Sequence, residues 1–163
     1  MADAFVIDAV RSPIGRRGGS LAGIRAEELA AQVMNGLVDR LDVDPGEVED
    51  VQMGCVTQVG EQALNVGRQA VLVGGWPETV AASTIDRQCG SSLQAAFNGA
   101  SAVQAGHLDP VVAAGAEQLA MHTWFGRESA LVHLLGGDPT PAFEAAIEAV
   151  ELEPSGVNAH YAA

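Results

Sequence analysis

Apolar and polar positions follow two different periods along the first part of the chain, and each change of period marks a new element. Short runs rich in β-branched and aromatic residues predict strands at residues 4–10, 50–56, 79–85 and 110–117. Longer segments with apolar residues three or four apart predict helices at residues 26–41, 63–75 and 92–106. Strands that alternate with helices predict an α/β fold whose sheet is covered by helices on both faces.

The first helix has the clearest signal, and its neighbours carry recognisable caps. Apolar residues recur every four positions along one side of it, at Leu29, Val33, Leu37 and Leu41. The stretch "DPGE" at residues 44–47 combines an N-cap aspartate with proline and glutamate, which predicts a short helical turn. In the third helix Leu93 and Phe97 are four residues apart, and Gly106 is expected to end it.

Beyond about residue 120 the pattern loses its clear period. A fresh acidic helix is predicted where Thr140 can act as the N-cap and Pro141 as the first helical residue. Its apolar stripe consists of Phe143, Ile147 and Val150. We therefore expect an N-terminal α/β domain at residues 1–120 and, at 121–163, an atypical tail with one acidic helix and no second core.

Composition narrows the function classes. The chain has 163 residues, of which 48% are hydrophobic, as expected for one compact domain with a real core. The net charge of −13 argues against binding to nucleic acid or to an anionic membrane surface. All 8 basic residues are arginine. The lack of lysine excludes Schiff-base chemistry and phosphate loops that need a lysine.

Cysteine usage and the N-terminal residues bear on the compartment. The first ten residues lack the basic start and long apolar run of a signal peptide. Two cysteines are too few for a disulfide framework and lack the spacing of a metal site. We expect a reduced, cytoplasmic protein with two free thiols and no bound metal.

One cysteine stands between the third predicted strand and the third predicted helix, in "TIDRQCGSSLQA" at residues 84–95. If the helix begins near Cys89, the unpaired N–H groups of its first turn favour the reactive thiolate and can hold a developing oxyanion. Gly90 leaves room for a substrate. These residues alone leave two interpretations open, a catalytic nucleophile or a cysteine packed as a small hydrophobe.

Two long stretches resemble the thiolase family of acetyl-CoA acyltransferases, in particular its degradative bacterial type. Residues 4–31 are similar to the opening strand, loop and first helix of that family, and residues 54–119 resemble the rest of its N-terminal half almost without gaps. The resemblance implies a thiolase-like half-fold with a mixed, mainly parallel sheet. Within "DRQCGSSLQA" it identifies Cys89 with the residue that carries the acyl group.

The resemblance implies acyl transfer in two steps, with coenzyme A as substrate and no permanently bound cofactor. Cys89 takes the acyl group from an acyl-CoA, its backbone N–H serves an oxyanion hole, and coenzyme A or an acyl-CoA enolate then accepts the acyl group. The family activates this cysteine with a histidine in a Gly-His-Pro motif and uses a second cysteine, in a Cys-x-Gly motif, as acid and base. The 163 residues contain neither motif. Cys55 matches no catalytic position and is expected to be structural.

The last residues, "VNAHYAA" at 157–163, resemble the family's "VNEAFAA" motif, whose asparagine orients a catalytic water. Asn158 is the match on this alignment, whereas Ala159 and Tyr161 replace the glutamate and the phenylalanine. The alignment implies that the family's loop domain, which holds most contacts to coenzyme A, is missing. His160 is either a substitute base or an inert exposed histidine.

Three hypotheses follow for the function. The chain is an acyltransferase half that acts on acyl-CoA within a homo-oligomer, or with a partner chain that supplies the missing histidine and second cysteine. Alternatively it is a truncated, catalytically inactive thiolase half. The third hypothesis is a module that binds acyl-CoA or another protein on the same half-fold.

Overall fold

The structure is a computed structural model that describes residues 3–16, 18–118 and 128–136. The elements in these residues follow in the order β1 (Phe5–Arg11), α1 (Ala26–Leu41), β2 (Asp50–Gly54), α2 (Val66–Val73), β3 (Ala81–Ile85), α3 (Ser91–Gln104), β4 (Val111–Gln118) and β5 (Glu128–Gly136). Short 3-10 turns at Pro45–Glu47 and Gly60–Gln62 precede β2 and α2.

The strands form one sheet in the order β1-β5-β4-β2-β3. β2 pairs in parallel with both β3 and β4, whereas β5 is antiparallel to both of its neighbours, β4 and β1. The predicted α/β fold with a mixed sheet is therefore confirmed, and β3, β2 and β4 form its parallel part. The sheet was expected to be mainly parallel, whereas two of the four described strand pairings are antiparallel. β1 and β3 lie at the two edges of the sheet.

The two faces of the sheet are covered differently. On one face α1 and α2 pack on apolar side chains of β2 and β4, which form the main core together with the buried side of α1. On the other face the first turn of α3 lies directly over Gly54 of β2 and Gly115 of β4, which are register partners. Among the described helices, only the one that follows Cys89 packs on this face, where it lies against backbone and small side chains.

Most helices and strands lie where the sequence predicts them, but several begin or end at different residues. α1 has the predicted bounds, and all four residues of its predicted apolar stripe are buried. Helix α2 is shorter than predicted at both ends, because the Asn65 side chain caps its start and Gly74 follows its last residue as the C-cap. β2 and β3 are each two residues shorter than predicted. Gly106 follows α3 with a φ of 70°, as expected of a residue that ends a helix.

The N-terminal end of the first strand is exposed, although its run of apolar residues is typical of a buried strand. Phe5 and Val6 are 49% and 63% exposed. β1 is an edge strand, so only one of its sides has a hydrogen-bonded neighbour in the described part of the sheet.

The largest correction is β5, which the sequence analysis assigned to a tail without a clear period. Its residues pair with β1 from Phe5↔Gly136 to Arg11↔Leu131 and with β4 from Val111↔Leu135 to Gln118↔Glu128. The sheet therefore extends beyond residue 120. The predicted helix that begins at Thr140 and the motif at residues 157–163 lie outside the described residues.

Candidate active site

Cys89 lies in the short loop that joins the end of β3 to the start of α3. The cysteine is exposed, and the helix begins two residues later at Ser91, with Gly90 as its N-cap. The sequence expectation of a helix that begins near Cys89 is thus correct to within two residues. Because the strand ends here, the thiol stands at the carboxyl edge of the parallel strands, where α/β folds place their ligands.

The loop is held in one shape by side chains at both of its ends. Asp86 Oδ1 accepts a hydrogen bond of 2.9 Å from the backbone N–H of Gln88. The buried Ser91 hydroxyl accepts from Arg87 N–H at 2.9 Å and donates to the Gln88 carbonyl at 2.6 Å. Gln88 itself has a φ of 50°, in the left-handed region that non-glycine residues seldom adopt. These contacts fix the backbone on the N-terminal side of Cys89.

The backbone N–H of Cys89 is a candidate donor for a ligand. Among the described residues, its internal hydrogen bonds are donated by the N–H groups of Arg87, Gln88, Gly90 and Ser91. The N–H of Cys89 is not one of these donors. An N–H group on the nucleophilic residue itself suits a developing oxyanion, because it lies close to the carbon under attack.

Cys55 has the opposite environment. It follows β2 directly rather than lying within the strand, and its N–H donates to the Ile85 carbonyl of β3 at 3.0 Å. The residue is only 1% exposed, and its Sγ lies 3.9 Å from Gln62 Oε1. Burial, with a further contribution from the Glu117 carboxylate, raises the pKa of the Cys55 thiol from 9.0 to about 12. This thiol is therefore inert, as expected for a structural residue.

Glu117, at the carboxyl end of β4, fixes the loop that follows β2, and this contact was not predicted from the sequence. Its carboxylate accepts from the backbone N–H groups of Val56 at 2.7 Å and Thr57 at 3.0 Å, and so fixes the loop that contains Cys55. These partners are 61 and 60 positions away along the chain. No local sequence signal could have found the contact, because only the pairing of β2 with β4 brings the two segments together.

The remaining candidates do not meet Cys89 in the described residues. Asn158 and His160 lie outside them. His107 is exposed and follows the C-terminal end of α3, whereas Cys89 precedes the N-terminal end. Within the described ranges, no group of three or more His, Cys, Asp or Glu residues is placed to hold a metal ion. No helix in the same ranges is long and apolar enough to cross a membrane.

Comparison with known proteins now decides the family. The family model described as the thiolase N-terminal domain matches residues 4–137. This chain belongs to the thiolase family. The matched segment reaches beyond β4 and includes β5, in agreement with the sheet. The resemblance to the N-terminal half of degradative bacterial thiolases is confirmed.

Individual thiolases match about three quarters of the chain. The steroid 3-ketoacyl-CoA thiolase FadA6 of Mycobacterium tuberculosis is 50% identical over 119 residues, which are 73% of this chain and 29% of the relative. A beta-ketoadipyl-CoA thiolase of Escherichia coli is 43% identical over 122 residues, or 30% of its length. The crystal structure of the Bacillus anthracis acetyl-CoA acetyltransferase superposes with a TM-score of 0.70 at 41% identity, covering 74% of this chain and 30% of that one. The chain thus spans less than a third of these thiolases.

Proposed function

We propose that the chain carries the nucleophile of a thiolase-type acyltransferase and forms a covalent acyl-thioester on Cys89 during transfer of an acyl group from acyl-CoA. The observation that carries this proposal is the contrast between the two cysteines. Cys89 is exposed in a hydrogen-bonded loop at the carboxyl edge of the sheet, whereas Cys55 is buried and its thiol pKa is raised. Membership of the thiolase family supports it.

The reaction that we propose has two chemical steps. The Cys89 thiolate attacks the carbonyl carbon of an acyl-CoA, and the Cys89 N–H stabilises the oxyanion that develops on the carbonyl oxygen. The bond from that carbon to its leaving group then breaks. Attack at the thioester carbon of acetyl-CoA releases coenzyme A thiolate, and attack at the 3-keto carbon of a 3-ketoacyl-CoA releases an acetyl-CoA enolate. The leaving group takes a proton, and the acyl group stays on Cys89 until a second coenzyme A thiolate or an acyl-CoA enolate attacks its carbonyl carbon. The bond from that carbon to Cys89 Sγ then breaks, which releases the product and restores the Cys89 thiolate.

Efficient turnover by this route needs a base and an acid. The Gly-His-Pro and Cys-x-Gly motifs, which supply them in the family, do not occur in the 163 residues. General acid–base catalysis typically contributes about 10²–10⁴-fold to a rate. We therefore propose that a partner chain bearing these motifs completes the site, and that the present chain alone reacts slowly.

Assembly and cellular setting follow from the same proposal. β3 is an edge strand, and Leu93 and Phe97 on α3 are 59% and 53% exposed. Open strand edges and exposed apolar side chains favour association with further protein. We propose a homo-oligomer or a complex with the partner chain. An exposed catalytic thiol also requires a reducing compartment, which supports the cytoplasm.

The test follows the release of coenzyme A thiol when the chain is mixed with acetyl-CoA, and the release of acetyl-CoA when it is mixed with acetoacetyl-CoA. We expect a slow release of at most one equivalent per chain, none from Cys89→Ser, and repeated turnover when a partner with the missing motifs is added. Sustained turnover by the chain alone would show that another residue, such as His160, acts as the base. Binding of coenzyme A without any release would support the non-catalytic binding module instead.

A further inference from the structure

The position of the Cys89 loop depends on how closely α3 approaches the sheet. A Cβ atom built on Gly54 would lie 2.4 Å from the backbone nitrogen of Ser92 and 2.5 Å from the carbonyl carbon of Ser91. A Cβ atom on Gly115 would lie 1.8 Å from the Ser92 hydroxyl oxygen and 2.8 Å from its Cβ. Real Cβ atoms do not approach other heavy atoms this closely, so the first turn of α3 requires glycine at both positions.

Both glycines lie under the same point of the helix. Gly54 of β2 and Gly115 of β4 are register partners, and Ser92 is the second residue of α3. Cys89 is only three residues before Ser92, and the buried Ser91 hydroxyl joins the helix start to the loop. A displacement of the first turn away from the strands would therefore be passed to the loop and to the Cys89 backbone.

We propose that Gly54 and Gly115 form a seat that positions the nucleophile. The two glycines let the first turn of α3 lie on the strands, and this close approach sets where the Cys89 thiol and N–H stand. They are positioning residues, since neither glycine has a side chain to offer a substrate. The inference builds on the proposed acyl-transfer function and adds to it two residues that lie outside the loop.

A third glycine provides a matched control. A Cβ atom on Gly67 of α2 would be crowded too, at 2.8 Å from Met53 Cβ and 3.0 Å from the Ser83 carbonyl oxygen. Met53 belongs to the core beneath α1 and α2, so Gly67 lies on the face of the sheet opposite α3. We therefore expect substitution of Gly67 to disturb packing without displacing the start of α3.

The experiment compares Gly115→Ala, Gly54→Ala and Gly67→Ala in the full chain by two readouts. The first is the single-turnover rate of Cys89 acylation by acetyl-CoA, corrected for the folded fraction. The second is hydrogen–deuterium exchange of the amides of residues 87–92, which requires no activity. We expect both seat variants to lower acylation by up to about 100-fold, the loss typical of a misplacement of about 1 Å. Exchange in the loop should accelerate in both, whereas Gly67→Ala changes neither readout.

A compensating substitution distinguishes a positioning role of the two glycines from general destabilisation of the fold. The added methyl at Gly115 meets the Ser92 side chain, so Ser92→Gly should restore both readouts to Gly115→Ala. The methyl at Gly54 meets backbone atoms, so the same substitution should not rescue Gly54→Ala. Unchanged acylation and exchange in Gly115→Ala, or equal losses in Gly67→Ala, would overturn the proposal. If the unmodified chain is not acylated at all, the acyl-transfer proposal fails, and the exchange data still decide whether the seat exists.

Discussion

Two neighbouring strands of the sheet each lead into a cysteine, and the two thiols have opposite properties. Cys55 follows the last residue of β2 directly and packs into the core, where burial raises its thiol pKa to about 12. Cys89 stands four residues beyond the last residue of β3, in a loop that leads it to the surface. The residue type therefore does not decide whether a thiol is buried or exposed in this fold. The length and shape of the connection after the strand decide it.

Alkylation gives the largest expected difference between the two cysteines. At neutral pH a thiol with a pKa of about 12 is ionised in only about one molecule in 10⁵. We expect iodoacetamide to modify Cys89 faster than Cys55 by a factor of about 10³ or more in the folded chain, because the thiolate is the reacting form. Peptide mass spectrometry measures both rates. In denaturant the two rates should converge, and a Cys55 that reacts as fast as Cys89 in the folded chain would refute the contrast.

The raised pKa of Cys55 also predicts a pH dependence of stability. The folded state keeps the Cys55 proton at pH values where the unfolded state loses it, so the folded state binds more protons in this range. Its stabilising contribution is present below pH 9.0 and is lost as the pH rises towards 12. We expect the free energy of unfolding to fall by about 1.4 kcal/mol per pH unit in this window. Denaturant titrations should show a shallower slope for Cys55→Ala, and identical slopes would contradict the burial argument.

Removal of the Glu117 charge should destabilise the folded chain and make the Cys55 thiol more reactive. Glu117→Gln loses a charged acceptor for two backbone N–H groups, which we expect to cost about 1.5–3 kcal/mol of unfolding free energy. The same substitution removes the charge that helps to raise the Cys55 pKa, so Cys55 alkylation should accelerate. Glu61→Gln is the control, since that side chain is exposed in the nearby 3-10 turn. Equal effects of the two substitutions would show that the carboxylate contacts do not matter.

Removal of the Ser91 hydroxyl should have the smallest effect on stability of the changes considered. Its effect on the rate of Cys89 acylation is more informative. Ser91→Ala removes one acceptor and one donor from the loop, at an expected cost of about 1–2 kcal/mol. Cys89 acylation should slow beyond what the folded fraction explains, and Ser91→Thr should recover part of the rate because it keeps a hydroxyl. Ser101→Ala, at an exposed position of the same helix, serves as the control. Acylation at the unmodified rate in Ser91→Ala would remove the hydroxyl from the account.

The sequence predicted the contrast between the cysteines better than it predicted the packing around them. Four-residue spacing gave α1 its bounds, because one large apolar face buries itself against the sheet. The same rule misled for α3, where Leu93 and Phe97 are exposed and small residues at 91, 95 and 99 are buried. Because α3 lies close to strands that carry glycine, only small side chains fit between the helix and the sheet. The spacing of large apolar residues does not reveal such small residues.

Long-range contacts account for what the sequence did not reveal. β5 is recognised only through its pairing with β1 and β4, and its own segment shows no clear period. Glu117 fixes the loop after β2 through two N–H groups that are far away along the chain. Cys89, in contrast, lies in a local strand-turn-helix pattern, which is why its place just before the start of α3 could be predicted from the sequence.

Site mapping of the acyl group tests the central claim most directly. The chain is incubated with acetyl-CoA, digested under conditions that preserve thioesters, and examined by mass spectrometry beside Cys89→Ser and Cys55→Ser. The account predicts one acetyl group on the Cys89 peptide of the unmodified chain and of Cys55→Ser, and none on any peptide of Cys89→Ser. An acetyl group on Cys55, or equal labelling of Cys89→Ser and the unmodified chain, would contradict it.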